Sequence, residues 1–130
     1  LVSIVESVCR FAADAGCARV IILGTGFTMA NGLYTEAFPR YGIEALIPDR
    51  EGREFVHNTI FSKLEDGTAR PADKEAMLEF TEELIRNSHA DAVVLGGTEL
   101  PLMIRPGDLS VPALDTAQVH ISAIVREMLK

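Results

Sequence analysis

Residues 92 to 104 read AVVLGGTELPLMI. A β-branched apolar run stops at Gly96 and Gly97, and Thr98 and Glu99 then open a second apolar stretch. A hydroxyl and a carboxylate placed directly after a strand stand at the edge of a sheet, where parallel α/β proteins bind their ligands. Two other stretches share this composition: Gly24, Thr25 and Gly26 with Thr28 follow RVIIL, and Asp115 with Thr116 follows VPAL. Backbone N–H groups and hydroxyls at the starts of helices suit an anion, whether carboxylate or phosphate. The plainer alternative is that Thr28, Thr98 and Thr116 cap helices and that the glycines permit tight turns. Three such loops at one sheet edge favour a ligand site over three unrelated caps.

Nucleotide binding fits these loops poorly. In GTGFTM, Met29 stands where a dinucleotide fingerprint needs its third glycine, and LGGTEL lacks the Gly-Lys-Ser/Thr end of a P-loop. Cys9 and Cys17 have neither CxxC spacing nor a nearby histidine cluster, so they read as buried thiols and no metal site is expected. His57 and His120 fall on helical patterns and read as ordinary polar-face residues, while His89 falls in a loop.

The elements that must position these groups follow from periodicity. Val2, Ile4, Val5, Val8, Phe11, Ala12 and Ala15 recur at helical spacing, so a helix is expected over residues 2–15, with Gly16 just beyond it. RVIIL at 19–23 reads as a strand buried on both faces. After it, a glycine-rich turn leads into a helix ending near Tyr41 and closed by Gly42. IEALI at 43–47 is a strand stopped by Pro48. Two helical patterns follow, one carrying Phe55, Val56, Ile60 and Leu64, the other Met77, Phe80, Leu84 and Ile85, with EDGTARPAD as the turn between them. Strands at 92–96 and 111–115 and a helix at 117–129 complete the chain. Strands alternating with helices predict an α/β fold: a parallel four-stranded sheet flanked by helices, forming a single lobe over residues 1–130.

Composition bounds the function. The 130 residues suffice for one core, and 48% hydrophobic with 24% charged residues is the balance of a folded globular chain. A net charge of −7 with no basic cluster argues against nucleic acid. No apolar run approaches the length of a bilayer span, so no membrane association is expected and a cytoplasmic location is the default. The chain begins with Leu1 on a helical pattern, which reads as a piece of a longer or processed protein.

Four ordered stretches, VIILGTGFTM, LIPDREGREFVHNTIF, VVLGGTELPLMI and VPALDTAQVH, together resemble the aspartate/glutamate racemase family. The likeness runs from about Leu1 to Lys130 and corresponds to the C-terminal lobe of a two-lobed fold with its active site in the cleft between lobes. The resemblance implies cofactor-independent racemisation of an acidic amino acid. One cysteine from each lobe takes or returns the α-proton, acting as base and acid on opposite faces. It implies a small acidic amino acid or dicarboxylate as the ligand, and a homodimer. The second-lobe cysteine belongs to a Gly-Cys-Thr-Glu motif, which here reads Gly96, Gly97, Thr98 and Glu99, so Gly97 stands where the catalytic thiol is expected. By the same matching, Glu99 would orient and tune that thiol, Thr98 would donate to a substrate carboxylate, Thr25 and Thr28 would hold substrate or order their loop, and Asp115 and Thr116 match a terminal Asp-Thr pair. Arg70 or Lys74 is the candidate for the side-chain carboxylate. Three outcomes stay open: a racemase, a catalytically disabled binder of an amino acid or dicarboxylate, and a one-base isomerase or decarboxylase that relies on the first-lobe cysteine.

Overall fold

A computed structural model describes residues 3–61 and 70–129. Val2, Leu64 and residues 65–69 of the expected turn lie outside them. Helix α1 (Ile4–Asp14) starts at Ser3, whose side chain accepts from the Glu6 N–H, and the chain turns beyond it at Gly16 with φ +81°. Strand β1 (Arg19–Leu23) follows. The single helix expected after β1 is instead α2 (Gly26–Ala30), α3 (Leu33–Ala37) and a 3₁₀ turn (Phe38–Tyr41). The break falls at Gly32, whose φ of +82° is left-handed, and Gly42 at φ +76° ends the segment as expected. Strand β2 (Glu44–Leu46) leads through Pro48 to α4 (Arg50–Thr59), which is capped by the Asp49 carboxylate on the Gly52 N–H at 2.8 Å.

Helix α5 (Pro71–Ser88) has proline in its first turn, where the missing N–H costs nothing, and ends at His89 in a left-handed conformation with φ +59°. Strand β3 (Ala92–Leu95) follows, and then α6 (Leu100–Met103), a short helix that the apolar pattern did not announce. Strand β4 (Ala113–Asp115) and α7 (Thr116–Met128) close the chain.

The four strands form one parallel sheet in the order β2-β1-β3-β4. Val20 pairs with Ala92 through to Leu23 with Leu95, and Leu95 pairs with Asp115 on the other side of β3. Side-chain alternation sends Ile21, Leu23, Val93 and Leu95 to one face, against Val56, Met77, Ile85 and Leu100 from α4, α5 and α6. Val20, Ile22, Ala92, Val94 and Leu114 face the other side, against Val8, Cys9 and Ala12 of α1 and Tyr34 and Ala37 of α3. Both faces are covered, which is why the central strands are apolar over residues 20–23 and 92–95 and do not alternate. Because β2 lies to one side of β1 and β3 to the other, the chain reverses its winding at the β1–β3 pair. The crevice beyond the carboxyl ends of that pair is where ligands bind in sheets of this kind.

Candidate active site

The loops after β1 and β3 meet directly at that crevice. Gly96 N–H donates to the Leu23 carbonyl at 2.8 Å, extending the strand pairing one residue past β3. The Thr28 methyl group lies over both glycine loops: a Cβ on Gly96 would come within 2.8 Å of it, and one on Gly24 within 3.0 Å. A side chain at Gly96 would force Thr28 to shift, and one at Gly24 would press tightly on it. Thr25 is the cap of α2; its hydroxyl oxygen accepts from the Thr28 N–H at 3.3 Å and lies 3.1 Å from the Thr28 hydroxyl.

The β3 loop carries the motif that held the question of chemistry. Gly97 is exposed with φ +92°, a conformation open to glycine and costly for other residues. The Glu99 carboxylate folds back onto its own loop. Its Oε2 accepts from the Thr98 N–H at 3.2 Å and lies 3.2 Å from where a side chain on residue 97 would begin. Thr98 itself is exposed, and its N–H is thus held by an internal carboxylate.

At the third loop, the Asp115 carboxylate accepts from the Ala117 and Gln118 N–H groups at 3.0 and 3.3 Å, capping α7. A carboxylate at this end of a helix is also favoured by the helix dipole. Thr116 is buried, and its hydroxyl donates to the Leu95 carbonyl at 3.1 Å. Burial, ahead of other influences, pushes the Tyr34 hydroxyl above its ordinary pKa. The plain reading that Thr28, Thr98 and Thr116 are caps is corrected in each case: the cap positions are Thr25, Glu99 and Asp115.

Arg70 and Lys74 sit at the start of α5. Arg70 is exposed at the cap position, with its N–H donating to Asp73 at 2.9 Å. Lys74 pairs with Asp108 at 3.0 Å. The Asp108 carboxyl is held below its ordinary pKa, first by the Arg105 backbone N–H and next by Lys74. Lys74 is thus tied to the loop between α6 and β4, and its charge is already matched there.

One residue of the site escaped sequence reasoning. His57, in the last turn of α4, accepts the Gly26 N–H on Nδ1 at 2.7 Å, and its ring packs on Phe61 with centroids 4.5 Å apart. Helical periodicity placed His57 on α4 correctly but carried no sign of a partner so distant in sequence. Cys9 is fully buried in α1, and Cys17 lies just beyond that helix, both away from the carboxyl ends of the strands. Among the described residues, surface grooves lie elsewhere on the fold. One of about 600 Å³ runs between α1 and α7, and one of about 440 Å³ reaches the site only at Leu95 and Asp115.

A parallel sheet with this winding carries a Gly-Gly-Thr-Glu loop at its reversal point. The family profile described as Asp/Glu/Hydantoin racemase matches residues 1–124, and the chain belongs to that family. Solved structures agree. An aspartate racemase homologue from Pyrococcus horikoshii OT3 superposes with a TM-score of 0.93 at 31% identity, over 99% of this chain and 56% of that one. A candidate Asp/Glu racemase from Yersinia pestis gives 0.90 at 27% identity, over 98% of this chain and 55% of that one. Picrophilus torridus aspartate racemase, at 23% identity and a TM-score of 0.72, covers 97% of this chain and 52% of its own and shares the fold. The chain therefore spans little more than half the length of these relatives.

Proposed function

We propose that this lobe handles an acidic amino acid or a dicarboxylate at the joined β1 and β3 loops, and that it contributes no thiol to two-base racemisation. The observation that carries this reading is Gly97: the position matched to the second catalytic cysteine has no side chain, and its backbone has φ +92°. General acid–base catalysis contributes about 10²–10⁴-fold, so a site lacking one of its two proton carriers loses on that order in interconversion. Thr25, Thr28 and Thr98 remain to hold a carboxylate. For Thr98 to donate its N–H to a ligand, the ligand must displace the Glu99 carboxylate, which would then be free to act elsewhere in the site. Arg70 is the better of the two basic candidates for a distal carboxylate, since Lys74 is paired with Asp108. A one-base exchange in this reading needs no organic cofactor, because a single side chain takes and returns the α-proton.

Proton exchange tests the proposal. The protein is incubated in D₂O with L- or D-aspartate and with L- or D-glutamate, and α-deuteration is followed by NMR alongside enantiomer composition. Binding without exchange is expected if the lobe serves a binder. Exchange without interconversion is expected if a single base works from the other face, as in a one-base isomerase or decarboxylase. Interconversion at the rate of a two-cysteine relative assayed in parallel would overturn the proposal.

A further inference from the structure

The site contains a histidine whose contacts give it a definite task. Helix α2 is five residues long, too short to hold its shape unaided. Its first N–H groups have no partner within the helix. Thr25 satisfies one of them, at Thr28. The Gly26 N–H is satisfied from outside, by His57 Nδ1 at 2.7 Å across 31 residues of sequence. The fit is close, since a Cβ on Gly26 would lie 3.1 Å from Nδ1 and the ring would have to give by a few tenths of an ångström. The ring is itself held, by its place on α4 and by Phe61.

We infer that His57 is the positioning residue of the ligand-holding loop, acting as a neutral imidazole with its proton on Nε2. An imidazole that accepts a hydrogen bond on Nδ1 carries no proton there. Through Gly26 the ring fixes Thr25 and Thr28, and through the Thr28 methyl group the placement passes to Gly24 and Gly96. One side chain on α4 thus sets the relation between the two loops that end the central strands. The consequence for ligand binding rests on the function proposed above; the lock itself does not.

His57→Phe keeps a ring for Phe61 and removes the acceptor, whereas His57→Asn offers an amide oxygen near the position of Nδ1. Two measurements separate the lock from the function. Hydrogen exchange at the Gly26 amide, followed by NMR, is expected to speed up about threefold to tenfold in His57→Phe, the equivalent of one net hydrogen bond, and to stay near the original in His57→Asn. Affinity for L-aspartate and for succinate is expected to fall by a similar factor in His57→Phe and to recover in His57→Asn. Imidazole ¹⁵N shifts are expected to report the Nε2–H tautomer. Equal Gly26 exchange in the original and His57→Phe, or a proton found on Nδ1 in the neutral ring, overturns the lock. If the lock holds but both variants bind alike, the positioning role falls. If the unsubstituted protein binds neither probe, the proposed ligand class falls, and Gly26 exchange still decides whether His57 holds the loop.

Discussion

At the scale of single residues, Gly97 is the most constrained position of the β3 loop. A side chain added there must adopt φ near +92° and meet Glu99 Oε2 at 3.2 Å. Holding a non-glycine residue in that region costs about 1–3 kcal/mol. Gly97→Cys is therefore expected to lower stability by that order in urea denaturation, and pairing it with Glu99→Gln should recover little, because the backbone and not the carboxylate is the main obstacle. An unchanged midpoint would mean that the loop rearranges freely. Thr28 offers a sharper pairwise test. Gly96→Ala drives its Cβ to within 2.8 Å of the Thr28 methyl and should cost about 1–3 kcal/mol. Thr28→Ser removes that methyl, so the double variant is expected to be more stable than the sum of the two single changes, a coupling that denaturation curves of all four proteins measure. The sequence displayed Gly97, Thr98 and Glu99 plainly, since they adjoin in the chain. It could not display His57, whose partner Gly26 is brought to it only by the packing of α4.

At the scale of elements, the strands were the most legible parts. RVIIL was read with its observed limits, because a strand buried on both faces must be continuously apolar. The helices were less so. The segment from Gly26 to Tyr41 has the right apolar residues for one helix, but the left-handed turn at Gly32 divides it, and apolar periodicity is nearly blind to such a break. Helix α6 is a single turn with Pro101 in it, too short to show a period. Buried elements also carry a pH consequence. Cys9 in α1 is fully buried, and burial above all pushes its thiol up to about 11 from an ordinary 9.0. The raised value means that Cys9 favours the folded state below pH 9.0, and that this contribution drains away between pH 9.0 and about 11 as the unfolded chain releases its proton first. Denaturation midpoints should decline across that window and decline less in Cys9→Ala, once its smaller core volume is taken as a constant offset. Iodoacetamide at pH 8 should modify Cys17 before Cys9, as tryptic mapping would reveal, because Cys17 is the more exposed thiol.

At the scale of the whole molecule, the sequence supplied the fold class and the sheet's parallel character, but the order β2-β1-β3-β4 depends on long-range pairing that alternation alone leaves undetermined. The exterior carries its own expectation. Ile121, Val125, Met128 and Leu129 of the last helix and its end are between 49% and 81% exposed, an apolar stripe at helical spacing. Among the described residues, no helix is long and apolar enough to cross a membrane. The dimer implied by the family resemblance can be examined on this stripe: sedimentation of the protein is expected to show self-association that Val125→Glu weakens. A strictly monomeric protein at all concentrations would remove that expectation. The pairing of β1 with β3 also bears on how the candidate site forms. Asp91, at the start of β3, accepts the N–H groups of Ala18 and Arg19 at 2.7 and 3.1 Å, across more than seventy residues of chain. The glycine loops lie at the opposite end of the same two strands and come together only when this distant closure is complete. Closures over so much chain are slow steps in folding. The candidate site should therefore be among the last features to form as the chain folds, and a ligand gripping both loops would hold the central strand pair shut.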